Sequence, residues 1–286
     1  MTDVTVQLTA LADPHNEARL AWLAAAPDGR PLGTAYLWLP PAAGGVADLQ
    51  LQVHPAERRA GVGTQLLAAV TAAATERGVR ALLTEPVRPG DDGDRFCRAH
   101  GLRQVLALTF TRLPLTGTTP LVTTAAPGYR LIHWEGTVPD ELAETFTRAR
   151  PAMDDMPMGD SGYTPDPWTV DRLHSVAAAV ARRGETLCTT AALGPDGEMA
   201  GFTELVVPAG LAGDAQHYGT GVLPAHRGRG LARWMKAAQI NAVRERFPRL
   251  TGLLADTADD NVAMRRINES LGYRPTHRSL VYQRDL

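Results

Sequence analysis

The sequence predicts an α+β fold in which one mixed α/β sheet is built twice. Three observations predict it. A phrase occurs in two copies, Val53-His-Pro-Ala-Glu-Arg-Arg-Ala-Gly-Val-Gly63 and Val222-Leu-Pro-Ala-His-Arg-Gly-Arg-Gly-Leu-Ala232. The likeness runs on to Gly101-Leu-Arg103 and Gly272-Tyr-Arg274, each trailed by a β-rich closing segment, 105–112 and 279–284. A spacing of about 170 residues holds at every landmark, and duplication of a domain is its simplest cause. Within each copy hairpins dominate the first half, and strands alternate with helices in the second, the pattern of a mixed sheet.

The first domain reads as residues 1–115. A short strand covers 4–8. Asp13-Pro-His-Asn-Glu is a helix start that would run through Ala25. Strands follow at 33–39 and 47–53, with Pro40-Pro-Ala-Ala-Gly-Gly45 as the turn between them. A helix spans 61–77 and stops at Gly78, a strand covers 81–83, and a second helix lies near 94–100. Residues 116–128, rich in Thr and Pro, read as the linker.

The second domain reads as residues 129–286. A strand at 129–134 precedes a helix that opens near Thr137 and Pro139 with acids in its first turn. Residues 151–167 are irregular, and a helix follows at 169–183. Strands 187–193 and 199–207 form a hairpin across Gly194-Pro-Asp-Gly197. The strand 216–222, the helix 230–245, the strand 252–255, the helix 261–271 and the closing strand complete the set.

Composition narrows the function. With 286 residues and 44% hydrophobic content the chain can bury two cores. The net charge is −2, and acids balance bases in both halves, so nucleic acid is not an expected partner. No membrane-length apolar run and no signal peptide is present, which points to a cytoplasmic protein without a membrane partner. The two cysteines, Cys97 and Cys188, fall one in each copy and read as buried thiols of a reducing compartment. The histidines lack metal-ligand spacing, so no metal is expected. The paired copies imply a monomer or a homodimer.

A glycine-rich turn that opens a helix presents unpaired backbone N–H groups at the positive end of the helix dipole, a seat for a pyrophosphate. On Arg58-x-x-Gly61-x-Gly63 and Arg227-x-x-Gly230-x-Ala232 the chain resembles the GNAT superfamily of acyl-CoA N-acyltransferases. Its tandem architecture is similar to that of the actinobacterial mycothiol-synthase type. The resemblance implies acetyl-CoA as cosubstrate. In the second copy Arg227, Gly228, Arg229, Gly230, Leu231 and Ala232 would hold the diphosphate, and Val222 would offer the strand edge to the pantetheine arm. Asn261 matches the family position that hydrogen-bonds that arm. Asn268 stands where the family usually has a tyrosine acid; an amide cannot give up a proton as an acid, so Asn268 would bind the cofactor by a hydrogen bond to its sulfur, with water or Tyr218 supplying the proton. The first copy carries Arg59 in place of Gly228 and has no counterpart of Asn261. It is expected to be catalytically degenerate, with Val53, Arg58, Gly61 and Gly63 as a second candidate CoA site.

Amine acetylation needs a base for the attacking amine and a donor where charge develops on the carbonyl oxygen. Glu204 is an acid in an apolar strand, which is costly to bury without purpose. His217 precedes Val222 on the strand that feeds the acetyl site, and its ordinary pKa suits proton transfer. These two are the candidate bases, and Asp256 is weighed beside them as a residue that caps the following turn. Asp154, Asp155 and Asp160, interleaved with methionines, suit a cationic and partly apolar acceptor. The function expected is acetylation of a primary amine of a small polar molecule: an antibiotic, an amino sugar or an amino-acid derivative. The alternatives are acetylation of a cysteinyl amine and a catalytically silent CoA-binding regulator.

Overall fold

A computed structural model describes residues 6–12, 18–41, 44–117, 120–154, 159 and 167–286. The chain forms two compact units that are not continuous in sequence. Of the described residues, those within 6–108, 159 and 278–286 build the first, and 109–154 and 167–277 build the second. The closing segments at 105–112 and 279–284 look alike in sequence. In the structure the last strand of the chain belongs to the first unit from Arg278 on, and the strand that closes the first repeat belongs to the second unit from Thr109 on.

In the first unit β1 (Gln7–Ala12), β2 (Arg19–Ala25), β3 (Pro31–Trp38) and β4 (Val46–Val53) form an antiparallel meander. The expected helix start at 13–17 lies outside the described residues, and over Arg19–Ala25 the chain is a strand instead of the expected helix. Its Ala/Leu composition favours helix, but Trp22 and Ala24 alternate into the core, and both of its edges are paired, so tertiary context overrides propensity. α1 (Val62–Glu76) crosses over to β5 (Ala81–Thr84), which lies parallel to β4. Val62, Leu66, Leu67, Val70 and Ala74 of α1 face the sheet at helical spacing. α2 (Asp92–Ala99) is N-capped by Asp91. The end of β12 (Arg274–Asp285) pairs antiparallel with β5 and brings Tyr282 into the core, where its hydroxyl donates to Asp94.

In the second unit the sheet order is β6–β11–β10–β9–β8–β7. These strands are β6 (Arg103–Pro114), β7 (Arg130–Glu135), β8 (Thr186–Leu193), β9 (Met199–Val207), β10 (Gly213–Val222) and β11 (Leu250–Ala258). The end of β6 is held by Arg112, which passes over Gly252 and donates to both oxygens of Asp214 at 2.7 Å. β9 is buried along its whole length. One face of this sheet packs on α5 (Leu231–Arg246) through Ala237, Ile240 and Val243. The other packs on α3 (Asp140–Ala149) and α4 (Val170–Arg182). α6 (Val262–Ser270) precedes β12. Among the described residues no helix is long and apolar enough to cross a membrane.

Candidate active site

The site of the second unit begins where two parallel strands part. β10 and β11 are matched from Gly213 opposite Leu250 to Gln216 opposite Leu254. β10 then continues to Val222 and β11 to Ala258, while β9 holds only the other edge of β10. The freed edge exposes backbone donors and acceptors to an extended arm. A bulge at Tyr218 follows the split: His217 faces Leu205, and Gly219 faces Glu204. Bulges re-aim side chains beside active sites. Here the bulge leaves His217 on the α5 face and puts Gly219 on the opposite face, where an added Cβ would meet Met153 at 2.9 Å. The structure therefore places the two expected bases, His217 and Glu204, on opposite faces of the sheet.

The glycine turn lies at the far end of the split. Gly228 and Gly230 have φ of 75° and 77°, and among the described residues a Cβ at either would meet nothing within 4 Å. Gly230 caps α5 without a side-chain bond, which leaves its first N–H groups for a ligand. Arg227 donates from Nε to the Val222 carbonyl at 2.8 Å and ties the turn to the strand end. Arg229 is exposed, Leu231 is buried on Val222 and Met235, and Ala232 is half-buried. Asn261 caps α6, accepting from the Met264 N–H at 3.1 Å. Asn268 is buried; its amide donates to the Thr257 hydroxyl at 3.2 Å, and its oxygen has no hydrogen-bond partner among the described residues.

The first unit repeats the turn with differences. β4 and β5 pair only as far as Leu49 opposite Thr84, so this pair also parts. Gly61 has φ of 81°, and Arg59 takes the left-handed position at 66°. Arg58 donates to the Val53 carbonyl at 3.3 Å and pairs with Asp92 at 2.8 Å. The Phe96 ring lies on this turn: a Cβ at Gly63 would meet it at 3.0 Å and Val53 at 3.5 Å.

Behind the second split lies a buried polar group. His217 Nε2 and the Tyr273 hydroxyl are 2.6 Å apart. Burial holds the His217 pKa well below its usual value, with the Lys236 charge adding to the effect. Lys236 on α5 is 2% exposed, and its ammonium lies 5.4 Å from the Tyr273 ring centre. Gln239 donates to the Cys188 and Thr203 carbonyls at 2.9 and 3.1 Å. Gln216 bridges the split, donating to the His217 carbonyl at 3.0 Å and to the exposed carboxylate of Asp256 at 3.1 Å.

On the opposite face Glu204 is buried and bound to Arg150 at 2.6 Å. The guanidinium of Arg150 lies 3.7 Å from the Trp168 ring centre and 4.8 Å from that of Phe202. Asp154 is exposed just after the 3-10 turn Arg150–Met153; Asp155 and Asp160 lie outside the described residues. Tyr218 is exposed, and its hydroxyl accepts from Arg183 at 3.0 Å. Arg150, Lys236, Gln239 and Tyr273 escaped the sequence reading. An alignment of the two copies would have found Lys236, which stands in α5 where α1 has Leu67.

A parallel pair that parts in front of a glycine-capped helix is the architecture of an acyl-CoA-dependent transferase. The model of the acetyltransferase (GNAT) family matches residues 3–101 and 152–273, once in each copy, and the chain belongs to that family. Over 296 aligned residues it is 29% identical to the mycothiol acetyltransferase of Salinispora arenicola (strain CNS-205), covering 97% of this chain and 85% of that protein. Among solved structures it is similar to a tandem GNAT protein from the clavulanic acid biosynthesis pathway. That match has 26% identity and a TM-score of 0.75, with 94% of this chain and 83% of that chain covered. A GCN5-related N-acetyltransferase from Sphaerobacter thermophilus shares the fold at 18% identity and a TM-score of 0.71, over 93% and 80% of the two chains. The protein is an acetyltransferase, and acetyl-CoA is the donor its family uses.

Proposed function

We propose that the second unit carries the transfer site and acetylates, from acetyl-CoA, a primary amine of a small polar, cationic molecule such as an amine-bearing antibiotic, an amino sugar or an amino-acid derivative. The observation that carries this reading is the contrast between the two turns. In the second unit the turn is built from Gly228 and Gly230 and is open. In the first, Arg59 replaces one glycine and Phe96 packs on Gly63. Backbone N–H groups after Arg227 would hold the diphosphate, and the freed edge of β10 up to Val222 would pair with the pantetheine arm. The N–H groups of this edge would also meet the charge that develops on the carbonyl oxygen.

Glu204 and His217 are the proposed bases, one for each face of the sheet. Glu204 shares its face with the 3-10 turn leading to Asp154, the segment proposed to receive the cationic acceptor. Arg150 orients that carboxylate through their ion pair at 2.6 Å. A second reading, acetylation of a cysteinyl amine, draws support from the similarity to a mycothiol acetyltransferase over most of both chains.

A thiol-release assay with acetyl-CoA tests both readings against a panel of aminoglycosides, cationic peptide antibiotics, amino acids, polyamines and cysteinyl glycosides. The expected result is turnover that is lost on Arg227→Glu and retained on Arg58→Glu. Turnover that depends on Arg58 alone would move the site to the first unit.

A further inference from the structure

The duplication supplies an internal control for the buried polar group. Counted from the helix-capping glycines Gly61 and Gly230, Leu67 matches Lys236 and Val70 matches Gln239. Counted from Gly101 and Gly272, Cys97 matches Asn268 and Leu102 matches Tyr273. In the strand registers Gly33 and Gly201 hold the same place, opposite Val53 and Val222, so Leu49 matches His217. All ten side chains are buried. One unit closes these positions with apolar groups and the other with a lysine, two amides, a phenol and an imidazole. The fold therefore does not require polar groups there. A buried ammonium forfeits its hydration, and among the described residues Gln239 Oε1 and Asn268 Oδ1 have no hydrogen-bond partner.

The group sits at the root of the split. His217 is the residue on β10 after its last pairing with β11, and Asp256 follows shortly after the last paired residue of β11. The titratable groups around Lys236 are His217 from β10, Asp256 from β11 and Tyr273 from the turn after α6. Asp256 favours the ammonium, and burial opposes it more strongly.

We propose that Lys236 is a catalytic residue of the second unit, whose ammonium gives its proton to the coenzyme A sulfur as the thioester breaks, the part that Asn268 cannot play. The proposal deepens the acetyltransferase reading and rests on it. The neutral amine attacks the thioester carbonyl carbon, and a C–N bond forms. The C–S bond then breaks, sulfur leaves with the bonding pair, and it takes the proton from Lys236. The nitrogen loses one proton to the base on the acceptor side. Solvent reached past the exposed Asp256 returns a proton to Lys236, and the products are the amide and the free thiol. Burial brings the Lys236 pKa down to about 7, so near neutral pH the acid is present and its conjugate base can be recharged.

Lys236 is the only lysine in the sequence, so lysine labelled with carbon-13 at Cε gives one side-chain signal. The expected result is a signal that titrates near neutral pH and shifts when acetyl-CoA or CoA is added. Lys236→Leu, which installs the residue of the first unit, should retain acetyl-CoA affinity and lose kcat by roughly 10²–10⁴-fold, together with the alkaline limb of its pH profile. A signal that titrates in the ordinary lysine range and ignores CoA overturns the proposal. So does a leucine variant with wild-type kcat and an unchanged alkaline limb. No turnover of any amine by the wild-type protein, with a lysine signal that still answers to CoA, would count against the acetyltransferase reading; turnover with an unresponsive lysine would count against Lys236 alone.

Discussion

Arg59 and Gly228 hold the same place in the two diphosphate turns, and both take left-handed backbone, at φ of 66° and 75°. Glycine adopts that conformation freely, whereas a residue with a Cβ loses about 1–2 kcal/mol. Arg59→Gly relieves this strain in the first unit. The extra freedom of glycine in the unfolded chain offsets about 0.4–1 kcal/mol of the gain. The net expectation is a small stabilisation, about 0.5 kcal/mol, and a loss of similar or larger size for Gly228→Ala. Denaturant titration of both variants checks the pair, and a destabilised Arg59→Gly protein would show that the arginine side chain holds the turn by its contacts.

The same contrast between copies predicts that activity and stability pull apart at Lys236. The folded-state pKa is about 7 against an ordinary value of 10.5. Below about pH 7 both states carry the proton, and the folded protein bears the whole cost of the buried charge. Between the two values the unfolded chain keeps the proton while the folded protein sheds it, so stability rises with pH and levels off above the unfolded value. Lys236→Leu should therefore stabilise the protein by up to about 5 kcal/mol at or below neutral pH, and by progressively less toward pH 10. Melting curves at several pH values read this directly. A leucine variant that melts below the wild type at every pH would mean that the ammonium is well solvated or fully paired.

On the other face of the sheet, Arg150 and Glu204 are both buried and 2.6 Å apart. Removing one member of such a pair leaves an uncompensated charge and costs about 3–5 kcal/mol, whereas replacing both with apolar groups of similar size is often neutral. Glu204→Leu alone should be strongly destabilising, and Arg150→Met with Glu204→Leu should recover most of the loss. If the double variant is no more stable than the single, the stacking of Arg150 on Trp168 and Phe202, and not the ion pair, holds this region.

The parts legible in the sequence are those encoded in short stretches of chain. The glycine turns follow from Gly61 and Gly230, and the cap of α6 from Asn261. The ends of β4 and β10 follow from Pro55 and Pro224. What stayed hidden depends on distant segments. β2 carries a helix-prone run, and only pairing with β1 and β3 makes it a strand. The two closing segments are both apolar and alternating, so nothing local says that Arg278–Leu286 completes the first unit. Glu204 stood out as an acid in an apolar strand, yet its partner Arg150 lies far away in the chain, in a Pro-containing segment with no period of its own. Lys236 was hidden for a different reason. A lysine on a helix reads as a solvated residue until its match with Leu67 places it on the buried face.

The thiols provide a last test that bears on every activity measurement. Cys97 and Cys188 are both buried and unpaired with each other. Burial pushes their pKa values up to about 11 and about 12, with the nearby carboxylates Asp94 and Glu135 adding to the rise. The thiolate is the reactive form, so near neutral pH almost none is present in the folded protein, and a disulfide reagent must wait for local or global opening. The native protein should therefore react with such a reagent far more slowly than a free thiol, and the rate should climb as denaturant is added. Prompt labelling of either cysteine in the folded protein would contradict the burial of that thiol. Slow labelling means that colour in a thiol-release assay comes from coenzyme A and not from the enzyme, so the Lys236 and Arg227 variants can be compared on turnover alone.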